Sequence, residues 1–221
     1  MNWEESEAGT PLKRDFLRAW FERDQRFFLT GGSARGMFYL DHRRSYDLDL
    51  FTDKDVEAKE AQSLALQVAS EIGAKCEAVR TAPDFHRFRI TRGEERELMD
   101  VVVDRAPQLD SEKETFGDVR VDTLREIIAN KLTTLISRTE LKDLVDLYFL
   151  DREGHDITAA VSDAQKKDGG WDPAVVAMLL GGLDIDESPD WMIKDIAPAD
   201  LRAFANDLRL TIVKLALPPE A

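Results

Sequence analysis

Two aspartates separated by a single residue are the strongest candidates for chemistry in this chain. Asp47 and Asp49 lie in the segment DLDLF, residues 47–51, where acidic and apolar residues alternate. Alternation of this kind predicts a β-strand, and both carboxylates then project from the same face. Like charges this close repel each other unless a cation lies between them, and hard divalent cations such as Mg2+ bind carboxylate oxygens. The pair is therefore predicted to bind a metal ion.

A third carboxylate is predicted on another strand, at residues 97–104. There Asp100 shares one face with the apolar residues Leu98 and Val102. A carboxylate among apolar neighbours is usually excluded from a protein core unless it is paired or bound to a metal. Asp100 is therefore the candidate for a third acidic ligand.

A possible phosphate site precedes the carboxylate pair. Gly31, Gly32 and Ser33 follow a predicted strand at 26–30 and precede an apolar stretch at 34–40 that can form a helix. Glycine lets the backbone approach a ligand closely, and the free N–H groups at a helix start attract anions. The same tripeptide is also common in ordinary turns, so alone it is a weak indication of phosphate binding.

The charge balance limits the partners that the chain can bind. Its net charge of −14 argues against a broad nucleic-acid-binding surface. A local basic patch is compatible with this charge, and Arg44, close to the carboxylate pair, is a candidate phosphate contact. The alternative is that Arg44, like Arg87 and Arg89 on a predicted strand at 85–91, only balances nearby acids on a solvated face.

Lys131 lies within an apolar helical stripe and has two possible roles. It is four residues from both Ile127 and Leu135. Its methylenes can cover the core while its ammonium reaches water, or the ammonium can enter a cleft and meet a triphosphate or the acidic cluster. In the next predicted helix, Asp143 and Asp146 lie on the more polar side, where a solvated salt bridge between Lys142 and Asp146 would need no function.

The remaining sequence supplies the elements that hold these residues. A length of 221 residues fits one large domain or a domain with a helical extension. Helical periodicity is expected at 11–24, from Asp53 to about Ile72, and from Asp122 onward, with a further strand at 75–80. Asp184-Ile185-Asp186 repeats the acidic spacing, but no apolar strand carries it, so a metal site is not expected there.

Composition excludes several other classes of protein. The chain has no apolar run near the ~20 residues of a membrane span, and its acidic N-terminus lacks the apolar region of a secretory signal. We therefore expect a cytoplasmic protein that does not bind membranes. Cys76 is the single cysteine and there are three histidines, so an intrachain disulfide is excluded and a structural zinc site is not expected.

Together, these motifs resemble a known superfamily. Gly31-Gly32-Ser33, His42-Arg43-Arg44-Ser45 and Asp47-Leu48-Asp49-Leu50-Phe51 are similar to the signature of DNA polymerase β-type nucleotidyltransferases. Within this superfamily, the chain most resembles the nucleotidyl transferase AbiEii/AbiGii toxin family. This narrower resemblance rests on Lys131-Leu132, Arg138 and the run from Lys142 to Tyr148. The match covers roughly residues 25–150.

The resemblance implies an α+β fold, in which a small mixed β-sheet flanked by helices precedes a helical C-terminal region. Residues 1–120 would form the nucleotidyltransferase core, and residues 121–221 a helical domain that contributes to the active site. Asp47, Asp49 and Asp100 would be the metal ligands, and Asp100 would also assist the attacking hydroxyl. The nucleotide and its phosphates would be bound by Gly31, Gly32, Ser33, Arg44 and Lys131. Lys131 together with Asp143, or with Asp146 in place of Asp143, would complete the active site.

The expected reaction is Mg2+-dependent transfer of a nucleoside monophosphate from a nucleoside triphosphate to an acceptor hydroxyl. The acceptor would be RNA, particularly a tRNA end, or a protein side chain. The resemblance also implies the toxin of a bacterial toxin–antitoxin or phage-defence system, with an antitoxin protein as partner. Two alternatives stay open: a catalytically silent protein that binds a partner, and a small-molecule nucleotidyltransferase of the aminoglycoside-modifying kind.

Overall fold

The computed structural model describes residues 2–138, 140–187 and 189–216, and these residues form two compact units. The first unit contains the residues up to Arg105 together with Glu112–Thr123. The second contains Ala106–Ser111 and the residues from Leu124 onward. The short segment Ala106–Ser111 therefore belongs to the second unit, although residues of the first unit lie on both sides of it in the sequence.

A mixed seven-stranded sheet forms the centre of the first unit. Its strands lie in the order β3-β4-β5-β2-β1-β7-β6. The pairs β2–β5 and β1–β7 are parallel, and the other neighbours are antiparallel. This mixed sheet agrees with the expected fold class. The strands are β1 (Phe28–Thr30), β2 (Asp47–Thr52), β3 (Lys75–Ala82), β4 (Phe85–Arg92), β5 (Glu95–Val103), β6 (Glu114–Phe116) and β7 (Val119–Val121).

Alternation along the central strands divides the sheet into two chemically different faces. On β2, Leu48 and Leu50 are buried, whereas Asp47 and Asp49 are half-buried on the opposite face. Strand β5 repeats the pattern: Met99, Val101 and Val103 are buried on one face, and Asp100 lies on the other face with the half-buried Leu98 and Val102. Because side chains alternate along a strand, one face serves the core and the other carries the acids.

Three helical segments accompany the sheet in the first unit. Helix α1 spans Pro11–Arg23, as the periodicity predicts. Helix α2 begins directly after β1, at Gly31–Ala34, and continues as a π-helical segment, Arg35–Leu40. Helix α3 spans Ala58–Glu71, so the expectation that it starts at Asp53 is wrong. Asp53 instead forms an ion pair with the adjacent Lys54 in the loop after β2.

The second unit is helical. It contains α4 (Leu124–Ser137), α5 (Leu141–Arg152), α6 (Ala160–Lys167), α7 (Pro173–Leu180) and α8 (Pro198–Ala216). Glu126 on α4 is fully buried and accepts hydrogen bonds from the backbone of Leu109 and Asp110 and from the Lys167 ammonium. These bonds fix Ala106–Ser111 to the helices of its unit. Among the described residues, none of the helices combines the length and the apolar character that crossing a membrane requires.

Candidate active site

Asp47, Asp49 and Asp100 form a single cluster, called here the acidic triad. Strands β2 and β5 are parallel neighbours, and their register places Asp49 directly opposite Asp100. One oxygen from each carboxylate can be chosen so that all three lie within 4.8 Å of one another. Asp100 is 5% exposed, whereas Asp47 and Asp49 are half-buried. The triad therefore has an accessible side, and its oxygen ligands suit a hard divalent cation.

Arg87 on β4 holds the carboxylate of Asp100 through two hydrogen bonds. Its Nε lies 2.7 Å from Oδ1 and its terminal nitrogen lies 2.6 Å from Oδ2. These hydrogen bonds raise the pKa of Arg87, and the charges of Asp47 and Asp49 act in the same direction. The guanidinium thus supplies a fixed positive charge beside the acidic triad.

Gly31 lies against the triad and could not be replaced by a larger residue without a rearrangement. Its φ of +67° is in the left-handed region that favours glycine. A Cβ added there would overlap the carboxylate of Asp49, whose Cγ would be only 2.7 Å away. The start of α2 therefore lies directly beside the second carboxylate.

Gly32 and Ser33 connect the start of α2 to the segment before β2. A Cβ at Gly32 would lie 3.1 Å from Cβ of Ser45 and 3.3 Å from a terminal nitrogen of Arg43. Ser33 is buried, and its hydroxyl donates to the backbone carbonyl of Asp47. The Ser33 hydroxyl thus fixes the first carboxylate strand instead of pointing toward solvent.

The loop before β2, residues 43–46, is anchored at several points. The Ser45 hydroxyl donates to Oδ1 of Asp47 at 3.0 Å. The ammonium of Lys13 on α1 donates to the Ser45 carbonyl and lies 3.4 Å from Glu97. In this loop Arg43 is buried, whereas Arg44, the predicted phosphate contact, is exposed.

Thr30 at the end of β1 connects the site to β7. Its Cα pairs with that of Asp49, and its hydroxyl donates to Oδ2 of Asp122 at 2.9 Å. Asp122 in turn forms an ion pair of 2.8 Å with Lys113, and both side chains are at most 4% exposed. Thr30, which precedes Gly31, is therefore held on the β7 side of β1 by the buried ion pair of Lys113 and Asp122.

The two predicted site residues of the second unit, Lys131 and Asp143, form a buried ion pair with each other. The Lys131 ammonium lies 2.6 Å from Asp143 Oδ1 and 2.9 Å from Asp146 Oδ2. Lys131 is 4% exposed at its side chain and both aspartates are 0% exposed. The interpretation that Lys131 reaches water is therefore wrong, and so is a solvated face for Asp146. Lys142 pairs instead with Glu140, at 2.7 Å.

Sequence reasoning did not identify three of the residues that organise the first unit's site. The bidentate role of Arg87 follows from the pairing of β4 with β5. The turn Gly93-Glu94 between two predicted strands was the available signal, because a two-residue turn with glycine predicts a hairpin, whose register places Arg87 opposite Asp100. Ser45 sits in the quoted motif, but its bond to Asp47 was not expected. The buried position of Lys13 could have been predicted, because it lies at helical spacing from Phe16, Leu17 and Trp20 on the apolar stripe of α1.

Comparison with known proteins supplies independent information. The sequence model of the family described as "Nucleotidyl transferase AbiEii toxin, Type IV TA system" matches residues 15–214. A candidate nucleotidyltransferase from Helicobacter pylori is similar in structure, with a TM-score of 0.62 and 21% identity over 93% of this chain and 93% of that one. JHP933 from Helicobacter pylori gives a TM-score of 0.61 and 21% identity over 93% of this chain and 90% of that one. At this identity the two structures show a shared fold. No curated protein matches the chain.

Proposed function

Since the chain belongs to the nucleotidyl transferase AbiEii toxin family of type IV toxin–antitoxin systems, and is thus a nucleotidyltransferase, we propose the following reaction. A nucleoside monophosphate is transferred from a nucleoside triphosphate to a hydroxyl of an RNA acceptor, such as a tRNA end, or of a protein. The reaction depends on Mg2+ held by the acidic triad.

The observation that carries this proposal is the meeting of three carboxylates from two adjacent parallel strands, with oxygens within 4.8 Å of one another. When bound there, a divalent cation would neutralise charge on the attacking and leaving oxygens. The residues fit such an ion because all three donors are oxygens and one side of the cluster is accessible.

The groups around the triad can each perform one part of the transfer. Backbone N–H groups from Gly31 to Ser33 bind the phosphates, and the exposed Arg44 adds a positive charge. The acceptor oxygen forms a bond to the α-phosphorus, the bond from that phosphorus to the bridging oxygen breaks, and pyrophosphate leaves. Asp100, oriented by two hydrogen bonds from Arg87, accepts the proton of the acceptor hydroxyl. Positioning and electrostatics of this kind supply most of the catalysis in phosphoryl and nucleotidyl transfer.

We also assign Lys131 and Asp143 to the active site, on the strength of their match to the later motifs of the family. Their ion pair shows how the pair is held: each group is desolvated and oriented by the other, with Asp146 as the second acceptor. The proposal further includes an antitoxin encoded with the toxin and a role in phage defence. It places the reaction in the cytoplasm, where nucleoside triphosphates and tRNA are available.

Incubation of the purified chain with each α-labelled nucleoside triphosphate, Mg2+ and total RNA tests the reaction. We expect label to appear in RNA with one or more of the four nucleotides, and to disappear with Asp49→Asn. Asp186→Asn is the matched control, because Asp186 has the same acidic spacing but is exposed in the second unit. It should leave the labelling unchanged.

Other outcomes have distinct meanings. Label in protein and not in RNA would change the acceptor but keep the reaction. Label that follows an added aminoglycoside and ignores RNA would support the small-molecule enzyme. If no pool is labelled, the transfer reaction is refuted for this chain and the protein-binding alternative takes its place.

A further inference from the structure

The face of the sheet that carries the acidic triad continues onto strands β4 and β3, where it carries arginines. The register of β4 places Arg87 opposite Asp100 on one side and opposite Arg80 of β3 on the other. Residues that pair across neighbouring strands project from the same face of a sheet. With Asp49, which lies opposite Asp100 on β2, they form a row of charged residues across four neighbouring strands. Acids occupy one half of this row and arginines the other half.

Phe85 connects the two arginines by direct contacts. The centre of its ring lies 5.5 Å from the guanidinium carbon of Arg80 and 5.7 Å from that of Arg87. Both distances are typical of cation–π contacts. Arg87 in turn donates its two hydrogen bonds to the carboxylate of Asp100. A continuous series of contacts therefore joins Arg80 to the acidic triad, on the same face of the sheet.

Both guanidiniums keep N–H donors for a ligand. Arg80 is exposed, and within the part of the chain that the structure describes it forms no ion pair with a carboxylate. The Arg87 side chain is 37% exposed, and its bonds to Asp100 use only part of its N–H donors. Arg89, on the same face, differs because it pairs at 3.4 Å with Glu77. An exposed guanidinium that an aromatic ring orients is suited to bind a phosphate.

The order of the strands indicates which phosphate binds there. Gly31, which is proposed to bind the nucleoside triphosphate, follows β1 and lies beside Asp49, on one side of the triad. Arg80 and Arg87 lie on the other side of the triad, on β3 and β4. In phosphoryl transfer the attacking and leaving oxygens are roughly in line, so the acceptor approaches from the side opposite the pyrophosphate. The arginines therefore lie on the side of the acceptor.

The net charge of the chain is compatible with a local site of this kind. At −14 the chain repels RNA at long range and has no need of a broad basic surface if a few contacts hold the acceptor at the reaction centre. Guanidinium groups bind phosphate oxygens through charged hydrogen bonds of defined geometry. The chemistry of this half of the face thus favours an RNA acceptor over a protein hydroxyl.

We propose that Arg80 and Arg87 bind a backbone phosphate of the RNA acceptor strand, and that Phe85 orients Arg80 for this contact. The inference rests on the proposed function and deepens it, because it assigns the acceptor to one side of the triad. Arg80 contacts the acceptor phosphate and none of the reacting atoms. Its replacement should therefore raise KM for RNA and leave kcat and KM for the nucleoside triphosphate unchanged.

The test compares Arg80→Gln, Arg80→Lys and Phe85→Leu with the wild-type chain. KM is measured separately for the labelled nucleoside triphosphate and for a single-stranded RNA, and Kd is measured for the same RNA carrying a fluorescent label. Arg80→Gln should raise KM and Kd for RNA about 3- to 10-fold, as expected for the loss of one exposed charged hydrogen bond. Phe85→Leu should raise them about 2- to 5-fold, because it removes the cation–π contact but keeps an apolar side chain.

Salt dependence shows whether Arg80 neutralises a phosphate. For single strands, each neutralised phosphate contributes about 0.7 to the slope of the logarithm of the association constant against the logarithm of salt concentration. Arg80→Gln should therefore reduce the slope by about 0.7, whereas Arg80→Lys should keep the wild-type slope because it keeps the charge. A weaker affinity for RNA in Arg80→Gln with an unchanged slope would contradict the phosphate contact.

Arg18→Gln is the matched control. Arg18 on α1 also lies over an aromatic ring, that of Trp3, at 5.5 Å, and its side chain is 43% exposed. Unlike Arg80, it already has a carboxylate partner, Glu4, at 2.6 Å. Its replacement removes the same charge and should change neither KM, Kd nor the salt slope. An equal effect of Arg18→Gln and Arg80→Gln would show that net charge alone is responsible, and would refute the site.

The outcomes separate the two proposals. Transfer to RNA with the same KM, Kd and slope in Arg80→Gln as in wild type would refute the acceptor site and keep the reaction. A KM that rises for the nucleoside triphosphate and not for RNA would also refute the acceptor site. RNA binding that depends on Arg80, without transfer by the wild-type chain, would refute the reaction and keep the site. A wild-type chain that neither transfers nucleotide nor binds RNA would refute both.

Discussion

Replacing Arg87 by methionine should destabilise the metal-free protein and, at the same time, increase its affinity for a divalent cation. The Asp100 side chain is 7% exposed and that of Arg87 is 37% exposed. Removing one partner of a fully buried pair costs about 3–5 kcal/mol, whereas exposed pairs contribute less than about 1 kcal/mol. Because solvent partly screens Arg87, we expect a loss of about 2 kcal/mol.

The same substitution removes a positive charge that competes with the cation. For charges of +2 and +1 separated by about 5 Å, the repulsion is ~1.7 kcal/mol in a medium as polar as water, and larger in protein. An energy of this size corresponds to roughly a 15-fold change in the dissociation constant of the metal. The Arg87→Met variant should therefore be less stable without metal and respond to lower concentrations of it.

Thermal unfolding at increasing Mg2+ or Mn2+ concentration measures both effects. In a chain of this size, a loss of about 2 kcal/mol should lower Tm by roughly 4–8 °C without metal. Added cation should raise the Tm of Arg87→Met by more than it raises the Tm of the wild-type protein. Arg89→Met is the control, because Arg89 shares the same strand face but pairs at 3.4 Å with the exposed Glu77. Equal metal-dependent shifts in Arg87→Met and wild type would refute the reasoning.

Three further predictions test the glycine turn, the buried lysine and the lone thiol. Gly31→Ala should reduce transfer at least about 100-fold by displacing a carboxylate of the triad; Gly73→Ala has a similar φ, +68°, but open space around it, so it should cost only stability. Lys131→Met should lower the free energy of unfolding in urea by about 3–5 kcal/mol, because two carboxylates stay buried without their cation; Lys142→Met, whose side chain is 39% exposed, should cost less than about 1 kcal/mol. Burial raises the pKa of Cys76 to about 11, so alkylation should be slow at neutral pH and accelerate up to about that pH; a plateau near pH 9 would contradict this value.

The Lys131 prediction changes how loss-of-function data should be interpreted. A lysine held between two fully buried aspartates is expected to stabilise the fold, whatever part it takes in the reaction. Loss of toxicity in Lys131→Ala would therefore not demonstrate catalysis unless the variant is shown to be folded. Asp49→Asn is the more informative substitution, because Asp49 is only half-buried and asparagine has nearly the same volume as aspartate.

The carboxylate strand could be predicted from sequence because its information is local. Alternation at Asp47 and Asp49 fixes which side chains share a face, whatever the strand pairs with. Asp100 could be selected in the same way, since a carboxylate between Leu98 and Val102 needs a partner. The family suggested by these motifs is confirmed by the match over residues 15–214.

Features that depend on pairing between distant residues could not be predicted. Nothing in the local sequence indicates that β2 and β5 are parallel neighbours with Asp49 opposite Asp100. The strands β6 and β7 have three residues each, too few for a periodic pattern to be recognised. Periodicity within α5 alone places Asp143 and Asp146 on its more polar side. Both are buried because Lys131, which neutralises them, lies in another helix, α4.

Titration of Mg2+ into the transfer reaction tests the central claim most directly. Label transfer should increase with Mg2+ in the wild-type chain and in Asp186→Asn, with the same half-maximal concentration. Asp47→Asn and Asp49→Asn should remain inactive or require far more metal, because each removes a ligand of the triad. Transfer by Asp49→Asn at the wild-type rate and the same Mg2+ concentration would contradict the assignment of the acidic triad as the metal-dependent reaction centre.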